Sequence, residues 1–176
     1  MSEFQRIDSE VQWEGKFVRA GAERFRYPDG DEVSREKVWH VGAVGIIALD
    51  ERSVWLTRQP REVVDARASL EIPAGKLDEP GESPLETAQR ELAEEIGKRA
   101  RSWEEILSFY TSPGFSDERV WLFLATELSD AGSGSAQEDE RIDVVQWPLD
   151  RLEDAIAESE DAKTLVALLW LQARRR

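Results

Sequence analysis

Residues 75–97 read Gly75-Lys-Leu-Asp-Glu-Pro-Gly-Glu82-Ser-Pro-Leu-Glu-Thr-Ala-Gln-Arg90-Glu91-Leu-Ala-Glu94-Glu95-Ile-Gly97, a glycine-rich loop that runs into a helix. Both helix ends are marked. Ser83 is an N-cap, Pro84 suits the first helical position, and Glu86 stands three residues after Ser83 to complete a capping box. Leu85, Ala88, Leu92 and Ile96 form one apolar stripe, and Gly97 fits the left-handed position that ends a helix. The spacing predicts a helix over 84–96.

On that helix Glu91 precedes Glu94 by three residues and Glu95 by four, so the three carboxylates address one region. Like charges at this spacing destabilise a helix unless a cation sits among them. Two readings compete: the acidic face of a solvated helix, or a site for a hard cation bound together with phosphate. The available ligands are oxygen only, with no His or Cys nearby, which points to Mg²⁺ or Mn²⁺. Attachment of the run to a Gly-rich loop and to Glu82 at fixed spacings favours the metal reading. Arg90 lies four residues after Glu86 and four before Glu94, within reach of either carboxylate. The glycines let main-chain groups approach an anion or a metal closely.

Outward from this segment, Val41-Gly-Ala-Val-Gly-Ile-Ile-Ala-Leu49 is a nearly unbroken apolar run, expected to be a strand covered on both faces. Asp50 to Ser53 is a turn into a second strand over 54–59, and Ser69 to Ile72 is a short strand stopped by Pro73. From Val11 to Val38, short strands are joined by turns at Glu14-Gly15 and Pro28-Asp-Gly-Asp31. Strands are also predicted over 106–110, 119–127 and 142–147. Gly132 to Ser135 reads as a linker, followed by acidic Glu138 to Glu140. Two closing helices are expected over 148–158 and 161–174, the second burying Leu165, Leu168, Leu169 and Leu171. The boundary falls at an N-terminal β-rich segment, 1–40, followed by the main domain, 41–176.

The 176 residues are enough for one domain with a real core. A net charge of −14 argues against a nucleic-acid binder, which needs clustered Lys and Arg; the basic run Arg174 to Arg176 reads as a solvated terminus. No cysteine is present, which removes disulfides, thiolate ligands and thiol nucleophiles. No apolar stretch has the length of a membrane span, and Met1-Ser2-Glu3-Phe4-Gln5 lacks a basic-then-apolar leader pattern. A cytoplasmic protein with neither membrane nor nucleic acid as partner is expected. An acidic protein that handles an anionic diphosphate must neutralise charge locally, and carboxylates holding metal ions do that.

The segment 75–97 resembles the Nudix signature: Gly, a spacer, Glu, seven residues, Arg-Glu, an aliphatic residue, any residue, Glu-Glu, any residue, Gly. Every spacing from Glu82 to Gly97 agrees. The spacer between Gly75 and Glu82 holds six residues where five are usual, read as a loop insertion at Glu79-Pro80, and Lys98 stands where an aliphatic residue is usual. The resemblance implies an α/β/α sandwich around a mixed sheet and hydrolysis of a nucleoside diphosphate linked to another group. It implies Glu91 and Glu95 as main ligands of Mg²⁺ (or Mn²⁺), with Glu94 as a further ligand. Glu82 would support the site, and Arg90 would orient the glutamates.

From Trp13 to Trp170 the chain is similar to the ADP-ribose pyrophosphatase branch of that family. Leu70-Glu-Ile-Pro-Ala-Gly75 leads into the signature as it does there, which implies the Ala74 carbonyl as a metal ligand. Thr57-Arg58-Gln-Pro-Arg61 resembles a strand end whose arginines meet substrate. Ser112-Pro-Gly-Phe-Ser-Asp-Glu118 resembles a mobile loop supplying a catalytic glutamate, Glu118, whose alternative is a solvated loop acid. The branch exchanges N-terminal strands within a homodimer, which implies Phe17 stacked on adenine and Arg35 and Glu36 near the nucleoside. Phe17 is otherwise ordinary core, and Arg35, Glu36, Arg58 and Arg61 otherwise form surface ion pairs. Seven Trp residues fit either an extra buried interface or core packing. His40, the only histidine, reads as a strand-end hydrogen-bonding residue. The expected reaction converts ADP-ribose to AMP and ribose 5-phosphate. Other sugar nucleotides, dinucleoside polyphosphates and a non-catalytic nucleotide sensor stand as the alternatives.

Overall fold

Successive strand residues point to opposite faces, and the segment 43–49 is apolar at both parities. In the computed structural model, which describes residues 3–132 and 141–175, both faces of this strand are covered. The chain opens with β1 (Gln5–Glu14), β2 (Val18–Arg26) and β3 (Glu32–His40), an antiparallel sheet in that order. There follow β4 (Ala43–Leu49), β5 (Ser53–Arg61), β6 (Ala66–Glu71), β7 (Ala74–Lys76), helix α1 (Pro84–Ile96), β8 (Lys98–Tyr110), β9 (Arg119–Asp130), β10 (Asp143–Pro148), α2 (Leu152–Glu158) and α3 (Ala162–Arg174). The second sheet runs β10-β5-β4-β9-β8, with β6 beside β5 and β7 beside β4. It is mixed: β4 and β9 are parallel, whereas β4 pairs with β5 and β7 in the antiparallel sense.

The chain divides into two compact units, one formed by residues up to Gly42 with Phe109–Arg119, the other by Ala43–Ser108 with the chain from Val120 onward. In the second unit the two parities of β4 feed two cores. Val44, Ile46 and Ala48 pack with Ala88, Leu92 and Ile96 of α1. Ile47 packs with Val54, Leu56 and Ile72, with Leu152 and Ala155 of α2, and with Ala167, Leu168 and Leu171 of α3. A sheet with α1 against one face and α2 and α3 against the other is the expected α/β/α sandwich. The first unit has a different character. Every residue of β1 is exposed, and the buried group of its sheet is a carboxylate, Glu23, bonded by Arg6 and Lys37.

Several local expectations need correction. Strand β8 begins at Lys98, well before 106, because Lys98-Arg-Ala-Arg carries its charges on an edge strand, where charge is tolerated and hides the apolar alternation. Leu85 is exposed: it lies in the first turn of α1, beyond the reach of the sheet. Leu169 is also exposed, since α3 buries the face carrying Thr164, Ala167, Leu168 and Leu171. Residues 74–76, read as loop, form β7, too short to leave a periodic signal. Of the 132–135 linker and the 138–140 acidic run, all but Gly132 lies outside the described residues, as does Arg176.

Leu92→Ala, which empties a fully buried site on α1, should cost ~2–5 kcal/mol in urea denaturation. Leu169→Ala should cost less than ~1 kcal/mol. Equal losses would contradict this assignment of helix faces.

Candidate active site

Helix α1 starts with the predicted capping box. Glu86 N donates to the Ser83 hydroxyl, and Ser83 N donates to the Glu86 carboxylate at 2.8 Å. Gly97 ends the helix at φ 65°. Because Glu86 is committed to the cap, Arg90 turns to other carboxylates. Its Nε donates to Glu82 at 3.2 and 3.3 Å, and its Nη1 donates to Glu91 at 2.9 Å and Glu94 at 2.8 Å. Burial works against this guanidinium's charge, but the Glu91, Glu94 and Glu82 carboxylates outweigh it and raise its pKa above the usual arginine value. Thr87 Oγ1 also donates to Glu82 Oε2 at 3.0 Å. The longer spacer is absorbed in a turn closed by Glu82 N on Glu79 O, with Gly81 at φ 90°. The helix register is untouched. Lys98, the second departure from the signature, serves packing: it pairs with Asp130 at 2.6 Å and lies over the Trp55 ring.

Strand β7 brings main chain to these carboxylates. Ala74 N donates to Glu95 Oε2 at 2.9 Å, and Glu95 is only 6% exposed. A Cβ placed on Gly75 would stand 2.1 Å from Glu91 Cδ, so any other residue there would push the Glu91 carboxylate aside. The Ala74–Gly75 backbone thus lies against both Glu91 and Glu95. Among the described residues no three acidic side chains close into a ligand shell by themselves, and Arg90 balances Glu91 and Glu94. The donor set nonetheless fits a hard cation: carboxylate and main-chain oxygens, a glycine whose missing side chain lets Glu91 lie against the backbone, and no nitrogen or sulfur ligand.

The two strand-end arginines are held by carboxylates. Arg58 is ion-paired with Glu158. Arg61 forms a two-pronged pair with Glu71, Nε and Nη2 each 2.7 Å from an oxygen. Glu71 is 1% exposed and accepts a third bond from Lys163 at 2.6 Å. Burial alone would raise its pKa, but the Arg61 hydrogen bonds and the Lys163 charge bring it down to about 2. Sequence reasoning missed both Glu71 and Lys163. The available signal was a charged residue flanked by core Leu70 and Ile72; its partner 92 residues away leaves none. Nearby, Ile72 N donates to Thr164 Oγ1 at 2.9 Å, and Asp161 caps α3. The first turn of α3 is thereby tied to the chain just before Ala74.

The other predicted residues belong to the first unit. Phe17 sits in the bend between β1 and β2 and is 42% exposed, which rules out a core role within the chain. It lines a cavity of about 390 Å³ with Trp39 and His40. Arg35 and Glu36, exposed on β3, line a separate cavity of about 510 Å³ with Tyr110 and Phe115. Phe17 and the Arg35–Glu36 pair therefore do not share a cavity. Glu118 accepts a bond from Thr111 Oγ1 at 2.6 Å. His40 acts as a hydrogen-bonding strand end: its Nδ1 accepts from Gly42 N and its own N donates to Asp117.

A NUDIX domain matches residues 39–168. The chain belongs to the Nudix family and is a hydrolase. It is 41% identical over 175 residues to the ADP-ribose pyrophosphatase of Bacillus subtilis (strain 168), covering 96% of this chain and 92% of that one. To the ADP-ribose pyrophosphatase of Mycobacterium tuberculosis it is 39% identical over 146 residues, 82% and 70% of the two chains. It is also 38% identical over 170 residues to the methanol dehydrogenase activator of Bacillus methanolicus, 94% and 91% of the chains. A crystal structure of an ADP compounds hydrolase, 22% identical, superposes with a TM-score of 0.81 over 98% of this chain and 96% of that one; it shows the shared fold. Among the described residues no helix is long and apolar enough to cross a membrane.

The Glu71 cluster makes a signed prediction. A carboxylate whose folded pKa is depressed stabilises the fold above its unfolded pKa and loses that contribution as pH falls through the folded value. For Glu71 the window runs from 4.5 down to about 2, and its contribution at neutral pH is about 3 kcal/mol, at ~1.4 kcal/mol per pH unit. Urea midpoints of wild type and Glu71→Gln should be well separated at pH 7, with the gap reduced by about half or more at pH 3. A gap independent of pH would contradict the ion-pair account.

Proposed function

We propose that the chain hydrolyses the diphosphate of ADP-ribose to AMP and ribose 5-phosphate with Mg²⁺, and that Mn²⁺ can replace it. The observation that carries this reading is the convergence of Glu91 and Glu95 on the Ala74–Gly75 backbone. The substrate follows from extensive identity to two ADP-ribose pyrophosphatases. Glu91, Glu95, Glu94 and the Ala74 carbonyl would hold the cation, which when bound neutralises the diphosphate and polarises its phosphoryl oxygens. Arg90 orients Glu91 and Glu94, while Glu82, held by Thr87, keeps Arg90 in place. Glu71 fixes Arg61 through Nε and Nη2, leaving Nη1 to meet a phosphate oxygen. Arg58 exchanges Glu158 for the same anion. Glu118 takes the proton of the attacking water as the bridging P–O bond breaks.

Residues 1–40 complete the substrate site by crossing to a second copy of the chain. The fully exposed β1, with Val11 and Trp13 in solvent and exposed Phe4 just before it, supports a surface that needs covering. Phe17, Arg35 and Glu36 then meet the nucleoside of the partner's site, and residues 41–176 form the hydrolase domain.

A screen over ADP-ribose, other sugar nucleotides and dinucleoside polyphosphates should show AMP formation fastest from ADP-ribose, abolished by chelator. Glu91→Gln and Glu95→Gln should lose more than the ~10–100-fold typical of residues outside the ligand set, with the fold retained. Gly75→Ala should do the same by displacing Glu91. Chelator-resistant turnover, or a faster reaction with another nucleotide, would overturn the metal or the substrate assignment respectively. In co-expressed mixed dimers, an inactive Phe17→Ala, Arg35→Ala chain should restore activity to Glu91→Gln. Failure in verified mixed dimers would remove the shared site.

A further inference from the structure

The segment 112–118 contains Pro113 and Gly114 and, by composition, suits an unattached flap. Its bonds say otherwise. Val38 N donates to Phe115 O at 2.7 Å, and Asp117 N donates to Val38 O at 3.3 Å, so the segment pairs with β3 in parallel fashion around Ser116. The Asp117 carboxylate adds two bonds to the same strand: Oδ1 accepts from His40 N at 2.8 Å, and Oδ2 pairs with Lys37 Nζ at 3.0 Å. Lys37 in turn bonds buried Glu23 of β2, which accepts from Arg6 of β1. A chain of alternating charges thus runs from the loop across all three strands of the N-terminal sheet.

The Glu118 carboxylate is fixed separately. Thr111 N donates to Glu118 O at 3.1 Å, closing the base of the loop. Thr111 Oγ1 donates to Oε2 at 2.6 Å. Glu118 N donates to Ser116 Oγ at 3.1 Å. On the other side, Oε1 stands 3.8 Å from His40 Nδ1. The one lone pair of that nitrogen already accepts from Gly42 N at 3.0 Å, so Nδ1 carries no proton to donate to Glu118. Oε2 is therefore spoken for by Thr111, and Oε1 is the oxygen kept for a proton.

We propose that Thr111 and Asp117 are positioning residues for Glu118: Asp117 locks the loop to β3 through His40 N and Lys37 Nζ, and Thr111 holds the carboxylate so that Oε1 is presented. This rests on Glu118 being the base. A base acts only from a fixed position relative to the atom it deprotonates, and small displacements are expensive in rate. The N-terminal sheet is thus more than a binding surface, because it is the support on which the base is mounted.

The test uses the full-length protein with ADP-ribose and Mg²⁺. Thr111→Val keeps the side-chain shape and removes the hydroxyl; Asp117→Ala removes both carboxylate contacts to β3 and leaves the backbone bonds. Each should lower kcat by ~10–100-fold, the scale of a small misplacement, with KM nearly unchanged. Asp117→Asn, which can still accept from His40 N, should recover part of the loss. Amide exchange in residues 112–118 should speed up in Asp117→Ala and stay slow in Thr111→Val. In a Glu118→Gln background neither change should lower kcat further, whereas a merely structural role would add its loss there. If Glu118→Gln is impaired while Thr111→Val and Asp117→Ala turn over at the wild-type rate, the positioning role is overturned and the base stands. If Glu118→Gln is itself fully active, the base assignment falls and takes this proposal with it. Should Asp117→Ala not fold, Thr111→Val decides alone.

Discussion

Glu82, Glu91 and Glu94 share one guanidinium, and the arrangement of helix α1 follows from that sharing. Three carboxylates gathered on and just before one short helix repel one another, and Arg90 is the charge that lets them stay together. Its availability depends on the capping box: with Glu86 bound to Ser83, Arg90 is left for the carboxylates of the site. The apolar side of the same helix fixes its height above the sheet. Ala88, Leu92 and Ile96 pack on β4, and β4 also carries β7 as its antiparallel neighbour. One strand therefore sets both the helix and the backbone that meets Glu91 and Glu95.

That geometry explains how an acidic chain can be built for an anionic substrate. The net charge of −14 would repel a diphosphate unless charge is neutralised at the point of contact. Arg90 neutralises part of it within the fold, and the remainder is the electrostatic reason for a divalent cation. The arginines of β5 show the same economy. Arg61 is held by buried Glu71, whose second cation, Lys163, comes from α3. A carboxylate this deeply buried needs both partners, since burial alone would favour its neutral form.

Legibility in the sequence followed the range of the interaction. Helix α1 was readable to the residue because cap, period and terminator all lie within one stretch, 83–97. The two-faced burial of β4 was readable because the run carries no charge. Strand β7 was not, since three residues flanked by Pro73 and Leu77 show no period and its partner is distant. β8 was masked by edge charges. The Arg90 partners were half legible: Glu94 by spacing, while Glu82 and Glu91 required the actual turn of the side chain. Glu71 with Lys163, and Asp117 with His40 and Lys37, were invisible because each joins elements far apart in the chain. The hydrogen bonds that fasten 112–118 to β3 were likewise not legible, since they join the loop to a strand about 77 residues earlier in the chain.

The proposed site for a hard divalent cation is made of the α1 carboxylates set against the Ala74–Gly75 backbone. Calorimetric titration of Mn²⁺ into the nucleotide-free protein tests it most directly, with wild type compared against Glu91→Gln and Glu95→Gln. Saturable binding is expected, lost or greatly weakened in both variants while their circular dichroism and melting remain those of a folded chain. Mn²⁺ binding of wild-type stoichiometry and affinity in the folded variants would contradict it.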